Sequence, residues 1–395
     1  MYSYYIIIIS FHTVNCNTNT TDFKLHVAKH LMSLIEKALI LPGELLFEEA
    51  KKIRDKIFNK KIYLRAIIEF SNVCVNDCAY CGIRRSADVK RYAMKEEEIV
   101  KLAQYAEDIG YGTIVLQSGQ NSIYDESLCE VIREIKETTS LAVTLSCGEK
   151  SFETYKKWKE SGADRYLLKQ ETSNPELFRK LTNRSLEKRF ACLKALLDLN
   201  YETGSGNIVG LPEQKLEDIA KDIVTFAEWN FDMLGIGPFI PCYGTPLENC
   251  RAGDVELTMK VIAISRIVCK DVNIPATTAL RTKVGEVSNI FDCGANVVMG
   301  NVTPYEYKKL YRIYPGKVCV FYEPESWLEN MKELIKSCGL KPSGERGSRK
   351  KGRFKPNFKT LEKIVEKLNN LSEDLTSWEK RLEIENITKD CSKLL

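Results

Sequence analysis

The sequence predicts an α/β protein built on a (β/α)8 TIM-type barrel, with N-terminal helices and a C-terminal helical extension. Three observations predict it. Short runs rich in β-branched residues recur eight times between residues 62 and 299. Amphipathic stretches such as Lys95–Ile109, Ser151–Glu160, Leu186–Leu199 and Lys215–Trp229 lie between them. Strand alternating with helix demands a parallel sheet with helical crossovers. Eight units suit a closed barrel, with a six-unit open barrel as the alternative, and 395 residues leave room for a barrel of about 250 plus extensions.

Taken in order, residues 1–31 read as a disordered extension. Tyr4 to Ile9 is a short apolar run without a preceding basic residue, so no secretory or Arg-rich transit signal is evident, and Met32 offers a second start. Residues 32–60 read as N-terminal helices. Leu34, Ala38 and Leu39 keep helical spacing, as do Leu45, Ala50, Ile53 and Ile57 after Pro42-Gly43. Residues 61–340 form the predicted barrel. Its strands are placed at Ile62–Phe70, Thr113–Gln117, Ala142–Ser146, Arg165–Lys169, Gly206–Leu211, Asp232–Phe239, Val272–Thr278 and Asn296–Met299. Residues 341–355, rich in Gly, Ser, Arg and Lys, read as a basic linker. In 356–395, Leu361, Ile364, Leu368, Leu371, Leu375, Trp378 and Leu382 alternate spacings of three and four. This heptad pattern predicts a C-terminal helix, either folded on the barrel or pairing as a coiled coil.

Composition excludes several function classes. A net charge of +4 does not by itself call for nucleic acid, and no stretch approaches the roughly 20 apolar residues of a membrane span. Fourteen cysteines in so long a chain, most of them single within apolar or helical patterns, point to a reducing interior rather than a disulfide framework. The three histidines are His12, His26 and His30. Beyond residue 30 there is no imidazole, which disfavours Ser-His-Asp hydrolases, zinc hydrolases and facial-triad iron enzymes.

The chemistry-bearing sequence is Cys74-Val-Asn-Asp-Cys78-Ala-Tyr-Cys81, directly after the first predicted strand. Active sites of such barrels lie at the C-terminal strand ends. Three thiolates spaced C-x3-C-x2-C in one loop can ligate three irons of a [4Fe–4S] cubane and leave the fourth open. Zinc is the alternative but wants a fourth Cys or His at matching spacing, and chance clustering of buried cysteines is another. Tyr80, an aromatic just before the last cysteine, and the position after a first barrel strand resemble the radical-SAM superfamily. That resemblance implies one [4Fe–4S] cluster on Cys74, Cys78 and Cys81, with S-adenosylmethionine (SAM) on the open iron and cleaved to a 5′-deoxyadenosyl radical.

A narrower resemblance runs from about residue 34 to about 353. IIEFSNVCVNDCAYCGIRR, TIVLQSGQ, LSCGE, GADRYLLKQET, IVGLPEQ, FDMLGIGPFIP, DVNIPATTAL, GANVVMGNVTP and LYRIYPGKVCVF are similar to the [FeFe]-hydrogenase maturases of the HydE type. Biotin synthase and methylornithine synthase share the barrel and part of the pattern. The resemblance implies that Tyr80, Ser118, Gly119, Glu149 and Lys169 contact SAM. It implies that Thr277, Thr278, Asn301, Thr303 and Tyr307 bind substrate, a small iron complex carrying carbon monoxide, cyanide and cysteine. A sister radical-SAM maturase, a GTPase scaffold maturase and a flavodoxin or ferredoxin electron donor are the implied partners, with no nucleic acid or membrane. A reducing, anaerobic cytoplasm is implied, or a hydrogenosome-type organelle. A divergent relative acting on another small substrate, or a non-catalytic cluster-binding scaffold, is the alternative.

The chain also departs from that family's pattern. Trp327 and Asn330 stand where a second cluster's cysteines are usual, so no second cluster is expected. Cys242-Tyr243 replaces His-Pro, Gly300 replaces Pro, Gln120 replaces an acid, Lys169-Gln170 replaces Arg-His, and Leu280-Arg281 follows NIPATTA. These changes bear on the substrate rather than on the cluster.

Overall fold

The structure, a computed structural model, describes residues 18–284, 288–316, 323–349 and 355–375. Helices α1 (Thr18–Ile40) and α2 (Glu44–Phe58) lead into β1 (Lys61–Ser71), α3 (Glu96–Asp108), β2 (Thr113–Ser118), α4 (Leu128–Thr138), β3 (Ala142–Ser146) and α5 (Phe152–Glu160). There follow β4 (Arg165–Leu167), α6 (Pro175–Thr182), α7 (Leu186–Asp198), β5 (Glu202–Ser205), β6 (Ile208–Val209), α8 (Leu216–Trp229), β7 (Met233–Leu234), β8 (Gly237–Pro238) and α9 (Val255–Cys269). The chain ends with α10 (Thr278–Lys283), α11 (Ser288–Asp292), β9 (Val297–Asn301), α12 (Tyr305–Lys308), α13 (Pro324–Ser337), β10 (Lys341–Ser343) and α14 (Lys359–Leu375). Polar side chains set several helix starts. Ser151 accepts from Thr154 N, Asn174 caps α6 ahead of Pro175, Ser185 caps α7 and Asp254 caps α9.

The strands pair in parallel in the order β1-β2-β3-β4-β5-β7. The ring is completed by β9 on β1 and by parallel bridges Met233–Asn273 and Pro275–Val297, which hold the seventh position. The expected barrel is therefore present. Alternation along β1 sorts its residues: Ile62, Leu64, Ala66, Ile68 and Phe70 join the apolar core, while Ile67 and Glu69 face the barrel interior.

Three expectations are corrected. The fifth strand is Glu202–Ser205, not Gly206–Leu211. Gly206, at φ 154°, ends it, because a Cβ there would collide with the Gly235 carbonyl; Ile208–Val209 instead pairs with Gly237–Pro238 at the barrel mouth. The supposed linker at 341–355 is packed structure over its described part. Lys341–Ser343 adds to β1 through Lys61–Lys341 and Tyr63–Ser343. Arg346 O accepts from Arg165 Nη2 (2.8 Å), and buried Arg349 binds Asp271 Oδ1 (2.7 Å) and the carbonyls of Asn230 and Phe231 (3.0 and 2.8 Å). This segment satisfies polar groups at the N-terminal end of the barrel. Polar pairing rather than apolar periodicity holds it, which is why its composition resembles a linker. Finally, the first helix begins at Thr18, so much of the predicted disordered extension is helical; residues 1–17 lie outside the described residues.

The described C-terminal helix, α14, packs on α1 and α9 and buries Leu361, Val365 and Leu368. The heptad positions beyond Leu375 lie outside the described residues.

Candidate active site

Leaving β1, the chain turns at Asn72 into a loop carrying Cys74, Cys78 and Cys81. Polar contacts hold this loop from both sides. Val75 N donates to Gln120 O (2.8 Å) and Asn121 Nδ2 to Val73 O (3.1 Å), tying it to the end of β2. Arg91 donates to the carbonyls of Asn72 (2.7 Å) and Ile83 (2.9 Å), and Arg84 pairs with Asp77 (2.6 Å), holding its carboxyl well below the usual range. At Gly119 a Cβ would crowd the Val73 carbonyl and stand 2.8 Å from Cys74 Cβ, so only glycine permits this approach.

The loop forms one wall of a cavity of ≈ 370 Å³ at the C-terminal strand ends. All three cysteines line it. Burial and their neighbouring thiols push Cys78 up to about 11 and Cys81 higher still. Such thiols carry protons until a metal displaces them. Among the described residues, no three His, Cys, Asp or Glu side chains form a site for a single metal ion. Three thiolates bound to different irons need not converge on one point, so this donor set fits a cubane and disfavours mononuclear zinc.

Of the expected SAM contacts, Tyr80, Ser118, Gly119 and Lys169 line the cavity. Glu149 does not. Its Oε1 accepts from Arg189 Nε (2.6 Å) and its Oε2 pairs with Arg184. Arg184 and Arg189 line the cavity in its place, and Arg189 also donates to Lys169 O. Glu149 thus stands behind the lining, paired with two guanidinium groups that reach the cavity. Glu171 also lines the cavity; its Oε2 lies 3.1 Å from Lys169 Nζ, and its charge helps push the Cys78 thiol and the Tyr80 phenol further above their ordinary pKa values. The sequence reading missed Glu171, Arg184 and Arg189. Glu171 stood within the GADRYLLKQET resemblance; the arginines come from the segment before α7 and from its first turn, where no local signal marked them.

On the opposite wall, Thr277, Thr278 and Asn301 reach the cavity as expected. Thr277 Oγ1 donates to Ile236 O (3.0 Å), and Asn301 Nδ2 donates to Glu69 Oε2 (2.9 Å). Thr303 and Tyr307, expected beside them, do not line the cavity. Buried Thr303 accepts from Glu69 N (2.8 Å); Tyr307 packs on Tyr92 with ring centroids 4.8 Å apart and donates to Glu98 (3.3 Å). Both support the wall from behind.

Three departures from the family pattern meet in space. The Arg281 guanidinium lies 5.2 Å over the Trp327 ring and donates to Met299 O (3.0 Å) and, more weakly, to Thr278 Oγ1 (3.4 Å). A Cβ at Gly300 would collide with Tyr111 Oη and stand 2.6 Å from Trp327 Cζ3. Cys242 is buried against the cluster loop, 2.7 Å from where a Gly82 Cβ would lie. Cys319, which the resemblance would make the remaining cysteine of a second cluster, lies outside the described residues.

A parallel barrel with three cysteines on the loop after its first strand defines a radical-SAM enzyme, and residues 68–225 match the model of the Radical SAM superfamily. The chain is 47% identical over 334 residues to the [FeFe] hydrogenase maturase subunit HydE of Thermotoga maritima, covering 84% of this chain and 95% of that protein. It is 29% identical over 259 residues to 3-methylornithine synthase of Methanosarcina acetivorans, covering 65% and 73%. In structure it resembles methylornithine synthase (PylB), with TM-score 0.68 and 25% identity over 78% of this chain and 93% of that one. It also shares the fold of HydG from Carboxydothermus hydrogenoformans, with TM-score 0.69 and 18% identity over 93% and 98%. The chain belongs to the HydE family of [FeFe]-hydrogenase maturases. That family implies a [4Fe–4S] cluster and SAM, and the residues around this cavity suit both. Among the described residues no helix is long and apolar enough to cross a membrane.

Proposed function

We propose that this enzyme processes a small anionic iron complex carrying carbon monoxide, cyanide and cysteine, supplying a precursor of the hydrogenase active-site cluster. Cys74, Cys78 and Cys81 would hold the cluster, which when bound would supply the electron for reductive cleavage of SAM to methionine and a 5′-deoxyadenosyl radical. The protein's part is to bind, orient and exclude water. Lys169 suits the ligand's carboxylate as a point charge, and Ser118-Gly119 suits its amino group. Glu171 offers an acceptor for cationic or hydroxyl groups.

The observation that carries the substrate reading is the polar lining of the cavity, where Lys169, Arg184 and Arg189 on one side face Thr277, Thr278 and Asn301 on the other. Cationic side chains in a largely apolar cavity suit an anionic guest. Thr277, Thr278 and Asn301 add polar groups suited to cyanide and carboxylate acceptors.

The partners in this reading are a sister radical-SAM maturase that makes the complex, a GTPase scaffold that receives the product, and a flavodoxin or ferredoxin as electron source. The compartment is a reducing, anaerobic cytoplasm, or a hydrogenosome-type organelle. Complementation tests the reading: the chain, started at Met1 and at Met32, is co-expressed anaerobically with an [FeFe]-hydrogenase and the other two maturases. Hydrogen evolution above a Cys78→Ser control supports it. No evolution from soluble protein that still cleaves SAM favours the second reading, a divergent enzyme on another small substrate, which the changes at Cys242, Arg281 and Gly300 motivate.

A further inference from the structure

Lys169 and Glu171 reach the cavity from the turn that leaves β4, and this turn is strained. Glu171 has φ 64°, a left-handed conformation that costs a residue with a side chain. Its backbone is stitched to the loop after β5: Glu171 N donates to Gly206 O (3.0 Å), and Ile208 N donates to Glu171 O (2.9 Å).

Beneath the turn lies a carboxylate from another element. Asp222, on α8, is fully buried. Its Oδ1 accepts from Ser173 N (2.5 Å) and Gln170 Nε2 (3.3 Å), and its Oδ2 accepts from Asn207 Nδ2 (2.8 Å). Gln170 Nε2 also donates to Ser173 Oγ (2.6 Å), and Gln170 N donates to Ser205 Oγ (3.1 Å). One side chain thus ties together the loops that follow two neighbouring strands. Burial raises this carboxyl to about 7, against the pull of those donors. A buried acid is a poor source of stability, because a well-packed apolar group of similar size usually does as well. Its place is explained by what it holds. The turn it holds carries Glu171, which lines the same cavity as Cys78 and Tyr80 of the cysteine loop.

We propose that Asp222 is a positioning residue for SAM: through Ser173, Gln170 and Asn207 it keeps Glu171 in its left-handed conformation, with Glu171 and Lys169 presented to the ligand beside the cluster loop. This rests on SAM being the ligand of that side of the cavity.

The test measures the SAM dissociation constant of cluster-loaded, folded protein by equilibrium dialysis, beside the saturated rate of 5′-deoxyadenosine formation under dithionite. Asp222→Ala is expected to weaken binding on the order of tenfold, with a much smaller change in the saturated rate. Asp222→Asn retains an acceptor for Ser173 N and is expected to restore most of the affinity. Glu171→Ala is expected to lose a similar factor, and the double variant Glu171→Ala/Asp222→Ala well short of the product of the two single losses, since Asp222 acts largely through Glu171. Wild-type affinity in Asp222→Ala overturns the proposal, as do losses that multiply in the double variant. Failure of the wild type itself to bind SAM overturns both the proposal and the reading beneath it.

Discussion

The two walls of the cavity are built on different terms. The wall of the cysteine loop and the ends of β2 to β5 rests on backbone geometry and buried polar contacts. Gly119 admits Cys74, Arg91 gathers loop carbonyls, and Glu149 aims Arg184 and Arg189. The wall of Thr277, Thr278 and β9 rests on side-chain packing from outside the barrel, with Trp327 of α13 against Gly300 and under Arg281. The difference teaches that the two walls draw on separate contacts, backbone approach and polar pairing on one and side-chain packing on the other, so each can be disturbed by itself.

The sharpest break of that comparison is Cys78→Ser. It removes one of three thiolates and is expected to reduce 5′-deoxyadenosine formation to background, measured by chromatography, whereas no single change on the far wall does so. Next is Gly300→Ala, whose Cβ has no room beside Tyr111 and Trp327. Overpacking there is expected to cost about 1–3 kcal/mol in urea denaturation. SAM cleavage per folded molecule should stay near wild type; a parallel loss of cleavage would mean that the two walls are coupled. Trp327→Leu, which removes the π face beneath Arg281, is expected to lower hydrogen evolution in the complementation assay several-fold while sparing substrate-free SAM cleavage, and Trp327→Phe to recover most of it.

Comparable in stability to Gly300→Ala, but without a functional effect, is Thr303→Val. It strips the Glu69 amide of its acceptor and is expected to cost about 1–3 kcal/mol of stability, read by thermal melting, without changing SAM affinity. The smallest expected effect concerns pH. Asp222 and Glu228 are both raised by burial to about 7 in the folded chain, from ordinary carboxylate values. The folded state therefore holds more protons than the unfolded state between about pH 4 and 7. The stability these groups contribute is complete below that window and is lost as pH rises through it. Glu228→Gln should flatten part of this fall in melting temperature between pH 5 and 7.5, leaving the fall due to Asp222.

Much of this protein was legible in its sequence. Period-two and helical patterns placed the barrel, because burial of one face is a local demand that each strand and helix must meet by itself. The cysteine spacing identified the cluster loop for a similar reason, since three ligands within eight residues need no distant partner. Other features depended on partners far away along the chain. Arg189 joins Glu149 across 40 residues, Asp222 gathers a turn some 50 residues upstream, and the Arg281 guanidinium lies over Trp327. The polar segment 341–349 read as a linker because its hydrogen bonds end on residues such as Arg165, about 180 positions earlier. Thr303 and Tyr307 follow the eighth strand yet stand outside the cavity lining, because a strand end fixes which side chains point inward only once the barrel has closed. The sequence by itself determined the class of fold and the place of the cysteine loop, both set by local periodicity and spacing. Only the tertiary structure decided which charged groups line the cavity, because long-range pairing of buried polar groups leaves no local pattern.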